Sequence, residues 1–98
     1  MKVKINEKIK GLDGVETLKG EKNRDLLLRD ICINALLTPD QQDDEKKKWE
    51  KYEIFKKIRD SKSDVELKAE EITTIKKAIG KLSPPLIMGQ CFELIEGK

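Results

Sequence analysis

Between Leu26 and Leu37 the chain reads LLLRDICINALL, and only Arg29, Asp30 and Asn34 interrupt its apolar residues. At about 100° per residue on a helical wheel, apolar side chains appear on every side of this segment. A helix of that kind is buried on most faces, so it is the central post of the fold, an assembly surface, or both. The demand is sharp because 41% of the chain is charged, only 37% is hydrophobic and 4% is aromatic. The 98 residues make a single domain, 1–98, and a domain of about 100 residues buries about two-thirds of its unfolded surface. Self-association would add buried apolar surface, so a homo-oligomer is expected.

Periodicity places the other elements around that post. Val3, Ile5 and Ile9 share a parity opposite Lys4, Asn6, Lys8 and Lys10, the period of a half-buried strand. Gly11-Leu12-Asp13-Gly14 turns the chain, Val15–Leu18 returns as a second strand, and Gly20–Asn23 is a polar loop. Asp25 caps the apolar helix, which ends before Pro39 because the residue preceding proline disfavours the α region. Asp43 or Asp44 caps a second helix, near 45–61. Its Trp49, Tyr52, Ile54, Phe55 and Ile58 spread over about 220°, wider than the stripe of about 100° that one core face requires. Lys48, Lys51, Lys56 and Arg59 fall in the same arc, which suits a helix gripping two neighbours while its basic stems snorkel outward.

Val65 and Leu67 alternate with Asp64, Glu66 and Lys68, a short third strand near 64–67 or a loop. Ala69-Glu70-Glu71 opens a third helix with carboxylates in its positive first turn, and Ile72, Ile75, Ile79 and Leu82 give it a narrow apolar stripe. Ser83-Pro84-Pro85 starts a fourth, Ser as N-cap and Pro at N1, with Ile87, Met88, Cys91, Phe92, Leu94 and Ile95 on one face, Gly89, Gln90, Glu93 and Glu96 on the other, and Gly97 as terminator. The expected fold is α+β and mostly helical: an N-terminal β-hairpin followed by four helices.

Histidine is absent, which removes the usual general base near neutral pH and the commonest metal ligand. Neither a zinc-type cysteine pattern nor a nucleotide-binding glycine motif occurs. Glu70/Glu71 and Asp43/Asp44 are adjacent pairs at helix starts, and adjacent residues point about 100° apart. The chain therefore reads as a non-enzyme without metal or cofactor. Cys32 and Cys91, each in an apolar run, read as buried free thiols, with a disulfide joining the two runs as the alternative. Met1–Ile5 lacks the apolar core of a signal peptide, and no run approaches the ~20 apolar residues of a membrane span. A soluble, cytoplasmic protein is expected.

Net charge is +2, but residues 45–62 hold eight Lys or Arg against four Asp or Glu, whereas 38–44 hold three Asp and no base. Lys46, Lys47, Lys48 and Lys56 are candidate phosphate contacts, with Trp49 and Tyr52 able to stack a base. Only Arg24, Arg29 and Arg59 are arginines, the residue preferred for bidentate phosphate contact, which counts against nucleic acid as the main partner. Arg29 stands alone on an apolar side of its helix and requires a carboxylate, a backbone carbonyl or a bound anion. The candidate ligand or partner contacts are Arg29, Trp49, Tyr52, Phe55 and Arg59.

Leu28–Leu37 (LRDICINALL), Leu67–Lys81 and Pro84–Gln90 (PPLIMGQ) resemble segments of small proteins encoded by phages and prophages. The order is similar too: a hairpin with the turn Leu12-Asp13-Gly14, the apolar helix, a charged helix and two C-terminal helices. Where those proteins have a Thr or Ser cap, this chain has Leu27 before Leu28 and Lys68 before Ala69. The family has no assigned activity, so no functional residue is carried over. The resemblance implies a small non-catalytic accessory protein of a phage or mobile element. The first expectation is a protein–protein module, itself homo-oligomeric, that inhibits or recruits a host factor, anti-defence included. The alternatives are an oligomeric sponge for an anionic nucleotide signal, motivated by Arg29 and by the basic groups near Trp49 and Tyr52, and a nucleic-acid-binding accessory protein using residues 46–62.

Overall fold

The alternating N-terminal segment becomes strand β1 (Lys2–Lys4), and Val3, Ile5 and Ile9 are all buried. In the computed structural model, which describes residues 1–97, β1 pairs antiparallel with β2 (Asp64–Glu66), Val3 opposite Val65. On the exposed side Lys2 lies opposite Glu66 and Lys4 opposite Asp64, the opposite-charge pairing that favours a ladder. Lys98, the last residue of the expected domain, lies outside the described residues.

The N-terminal hairpin turns at Gly11–Glu16. Gly11 N–H donates to Glu16 O at 2.8 Å, and Lys10 and Thr17 form a bridge. Gly14 takes φ +73°, which glycine adopts without a Cβ penalty. The Asp13 carboxylate accepts from the N–H groups of Val15 and Glu16, both at 2.9 Å, and these bonds hold its carboxyl below the usual range. Beyond the turn the returning arm carries single bridges, and the regular ladder belongs to β1 and β2.

Four helices follow: α1 (Leu28–Leu37), α2 (Glu45–Asp60), α3 (Ala69–Leu82) and α4 (Pro85–Ile95). The fold is α+β and mostly helical, as expected. α1 packs against α2 and α3 and touches α4. Its Leu28, Cys32, Ala35 and Leu36 are buried, Ile31 and Ile33 are half-buried against the same core, and Leu37 is exposed. The neighbours within one chain thus cover most of the post. Ile72, Ile75 and Ile79 of α3 are buried, but Leu82, expected to continue their stripe, is 45% exposed at the helix end. On α4, Cys91 and Ile95 are buried and Gly97 follows at φ +80°, a C′ glycine.

Two helix starts, those of α1 and α4, depart from the sequence reading. Asp25 is not the cap of α1; it pairs with Lys19 at 2.5 Å and Lys8 at 3.3 Å. The first N–H groups of α1 are met from a distance: Leu28 donates to Glu7 O at 2.8 Å and Arg29 to Ile5 O at 2.7 Å. Asp30 accepts from Leu27 N–H at 3.0 Å. Ser83 closes α3 rather than opening α4, which starts with Pro84 as cap and Pro85 at N1. Gln90 is not on an outer face: its side-chain amide accepts from Lys10 N–H and donates to Lys10 O, both at 2.7 Å. It thereby pairs with the hairpin as a peptide group would.

Arg29 closes the other end of this arrangement. Its Nε donates to Asn6 Oδ1 at 3.0 Å. One terminal nitrogen donates to the carbonyls of Ile58 at 2.7 Å and Arg59 at 3.5 Å, the other to those of Ser61 at 2.7 Å and Lys62 at 3.1 Å. These include the orphan carbonyls that end α2. Hydrogen bonds to a charged group contribute about 1.5–3 kcal/mol each and are not additive. Replacing Arg29 by Ala should therefore lower the unfolding free energy by about 3 kcal/mol, with Lys restoring less than half. Urea unfolding measures this as a lower midpoint at unchanged slope; a loss below about 0.5 kcal/mol, the range of an ordinary surface substitution, would refute the clamp.

Candidate functional site

α2 begins where Asp44 accepts from Lys47 N–H at 2.8 Å, and it presents two faces. Ile54 and Ile58 enter the core. The opposite side carries Trp49, Tyr52 and Phe55, whose ring centroids follow one another at 5.8 and 6.0 Å with a tilt of 38° at each step. Trp49 is 60% exposed and Tyr52 41%, while Phe55 is half-buried against the core. Lys56 Nζ lies 5.3 Å from the Tyr52 ring centre, and the Arg59 guanidinium 5.5 Å from that of Phe55, both within cation–π range. The wide arc read from the sequence thus divides: Ile54 and Ile58 enter the core, Phe55 lies at its edge, and Trp49 and Tyr52 stand in solvent, edged by cations.

Of the other predicted contacts, Lys47 pairs with Glu50 at 3.6 Å and Lys56 with Glu53 at 3.4 Å. Arg59 pairs with Asp60 at 2.9 Å; the pair holds the guanidinium charged and the Asp60 carboxyl below its usual range. Lys57 crosses to Glu71 of α3. Lys46 and Lys48 are exposed and without a partner among the described residues. The basic excess of 45–62 is therefore largely matched by intramolecular carboxylates. Arg29, expected as a ligand contact, stands apart from this face, and every N–H of its guanidinium already has an acceptor in the protein.

Two features escaped the sequence reading. Lys51, expected to snorkel outward, is buried and paired with Asp43. It lines an open cleft of about 360 Å³ whose floor includes Ala35, Ala78 and Leu82. Across that cleft Lys81 pairs with Asp40, which draws the Asp40 carboxyl down and the Lys81 ammonium up. The second feature is the hairpin tip, where Leu12 is 94% and Val15 77% exposed. Apolar residues flanking Asp13-Gly14 were its only sequence signal.

Cys32 and Cys91 are free and buried. Burial pushes the Cys32 thiol up to about 12, with Cys91 adding to the shift, and pushes Cys91 up to about 11. Neither has the thiolate character that nucleophilic or redox chemistry requires. No group of His, Cys, Asp or Glu among the described residues is arranged to hold a metal ion, and no helix there is long and apolar enough to cross a membrane.

No family model, curated protein or solved structure matches the chain.

The thiols give a pH dependence of defined sign. Unfolded thiols ionise near 9.0, the folded ones at about 12 and about 11. Between those values the native state holds protons that the unfolded state has released, so stability is full below about pH 9 and falls as pH rises toward 11. Urea midpoints should drop between about pH 8 and pH 10, and less steeply in Cys32→Ala than in the parent. Equal slopes in the two proteins would exclude this source.

Proposed function

We propose that the chain is a non-catalytic binding protein that docks a partner protein on the outer face of α2. The observation that carries this reading is the exposure of Trp49 and Tyr52 on adjacent turns of a helix fixed at both ends. Binding energy at protein interfaces concentrates in a few Trp, Tyr and Arg residues, and here Arg59 continues the line of the two aromatics. Rings already packed on one another lose little conformational freedom on docking, which keeps the ordering cost low. The resemblance to small phage and prophage proteins makes a host or phage protein the partner, with inhibition or recruitment of a host factor as the outcome, anti-defence included.

Self-association through the same face is the second form of this reading. Its support is weaker than the sequence suggested, since α2, α3 and α4 already cover α1. The nucleotide-sponge reading loses one of its two motives, because the Arg29 guanidinium is spent on acceptors of the chain itself, and keeps only the basic groups near Trp49 and Tyr52.

The test is affinity capture from host-cell lysate with the parent chain and with Trp49→Ala/Tyr52→Ala. Both positions are exposed, so the double variant should unfold within about 1 kcal/mol of the parent. Hot-spot truncations cost about 2 kcal/mol or more each, ~30-fold in affinity, so captured proteins should disappear from the variant. Proteins retained equally by both chains would place the interface elsewhere.

A further inference from the structure

The outer face of α2 has a sign of charge as well as a shape. At about 100° per residue, Lys48, Trp49, Tyr52, Phe55, Lys56 and Arg59 share one arc of about 120°. From Lys48 to Arg59 no Asp or Glu falls within it; Glu45, one turn earlier, does, at the start of the helix. Glu53 and Asp60 reach toward Lys56 and Arg59 from the flank, and Lys48 has no partner among the described residues. The arc is therefore three aromatic rings and three bases against one carboxylate of its own, with Lys56 and Arg59 paired only to exposed flanking acids.

We propose that the partner presents an acidic amphipathic helix that lies along this arc. Its apolar residues cover Trp49 and Tyr52, and its carboxylates meet Lys48, Lys56 and Arg59. This rests on the reading that the outer face of α2 is the docking surface. A helix offers no free backbone edge, so an extended segment gains no main-chain pairing here, whereas a helix laid alongside brings residues at i, i+3, i+4 and i+7 onto the rings. Charge selects the partner. A second copy of this face would set bases against bases, and like charges juxtaposed across an interface cost about a hundredfold or more in affinity.

A nucleic-acid strand would find phosphate contacts but few stacking platforms. Lys56 already sits over the Tyr52 ring and Arg59 over that of Phe55, while single-strand binding needs successive open ring faces. Trp49, with no cation over it among the described residues, offers one.

Selection from a displayed library of single-helix peptides with one randomised face tests the sign directly. Trp49 is the only tryptophan, so its emission reports docking on the arc. Enriched peptides should be acidic, with apolar residues at i, i+3 or i+4, and i+7, and should shift Trp49 emission to the blue. Binding should weaken at least about tenfold in Lys48→Gln/Lys56→Gln/Arg59→Gln and fall further as salt rises. Loss of more than that is expected in Trp49→Ala/Tyr52→Ala. Enrichment of basic or neutral peptides, no enrichment, or binding unchanged in the Gln variant overturns the acidic partner while leaving the face intact, provided the aromatic variant still loses capture from lysate. Peptides that bind the aromatic variant as well as the parent overturn the face itself. Oligothymidylate binding that requires the three bases, or a dimer in sedimentation that dissolves on Trp49→Ala, assigns the arc to nucleic acid or to a second copy and likewise overturns the inference.

Discussion

The guanidinium of Arg29 is the point at which three parts of the chain meet. Its main-chain N–H enters the N-terminus of α1 through Ile5 O, and its side chain bonds Asn6 and the carbonyls that end α2 and begin the approach to β2. A helix C-terminus carries about half a negative charge, and a planar fork can meet several carbonyls at once where an ammonium meets them as a point. Ile5, whose carbonyl accepts from α1, in turn donates its N–H to Ser63 O at 2.9 Å, the residue just before β2. One cation and a few carbonyls thereby set the order β1, α1, end of α2, β2 in space.

With its C-terminus held there, α2 needs only one further anchor, and it has two close together. Asp44 caps the first turn, and Lys51 reaches from the second turn to Asp43. A buried ion pair is weak evidence of net stability, but removing either partner leaves a buried charge, so the pair fixes position strongly. Ile54 and Ile58 complete the inner side. The outer side is thus held in place without being covered, so Trp49 and Tyr52 stand in solvent while Phe55 leans on the core.

The parts of this structure that sequence makes legible are those written in local periodicity. The Val3–Ile5–Ile9 alternation, the third strand around Val65, the isoleucine stripe of α3 and the double-faced character of α2 all follow from side-chain spacing. The ends of α2 and α4 at Asp44 and Gly97 are legible too, whereas the start of α1 is not, because its partners are remote. Leu27 and Lys68 occupy cap positions without a side chain able to cap. At Leu27 the missing acceptors come from Ile5 and Glu7; at Lys68 the Glu71 carboxylate accepts its N–H at 2.9 Å and is held by Lys57. Asp25 looked like a cap for the same reason that it makes a good lysine partner: a short carboxylate next to free donors. Arg29 was legible as a residue in need of a partner, and the backbone carbonyl among its possible partners is the one it takes.

The same distinction bears on the candidate site. Trp49, Tyr52 and Phe55 were visible as an arc too wide for one core face, and they remain together because i, i+3 and i+6 positions on one helix need no tertiary contact to align. Lys51 lies in that arc by spacing and leaves it by pairing with Asp43, in the loop just before the Asp44 cap. Its burial removes the one base that would have faced the core side, and it leaves Lys48, Lys56 and Arg59 as the bases beside the rings. An exposed apolar patch is ordinarily an aggregation hazard. Here the bases at its edge carry a like charge on every copy, so the residues that would attract a carboxylate also oppose the face-to-face approach of two identical chains.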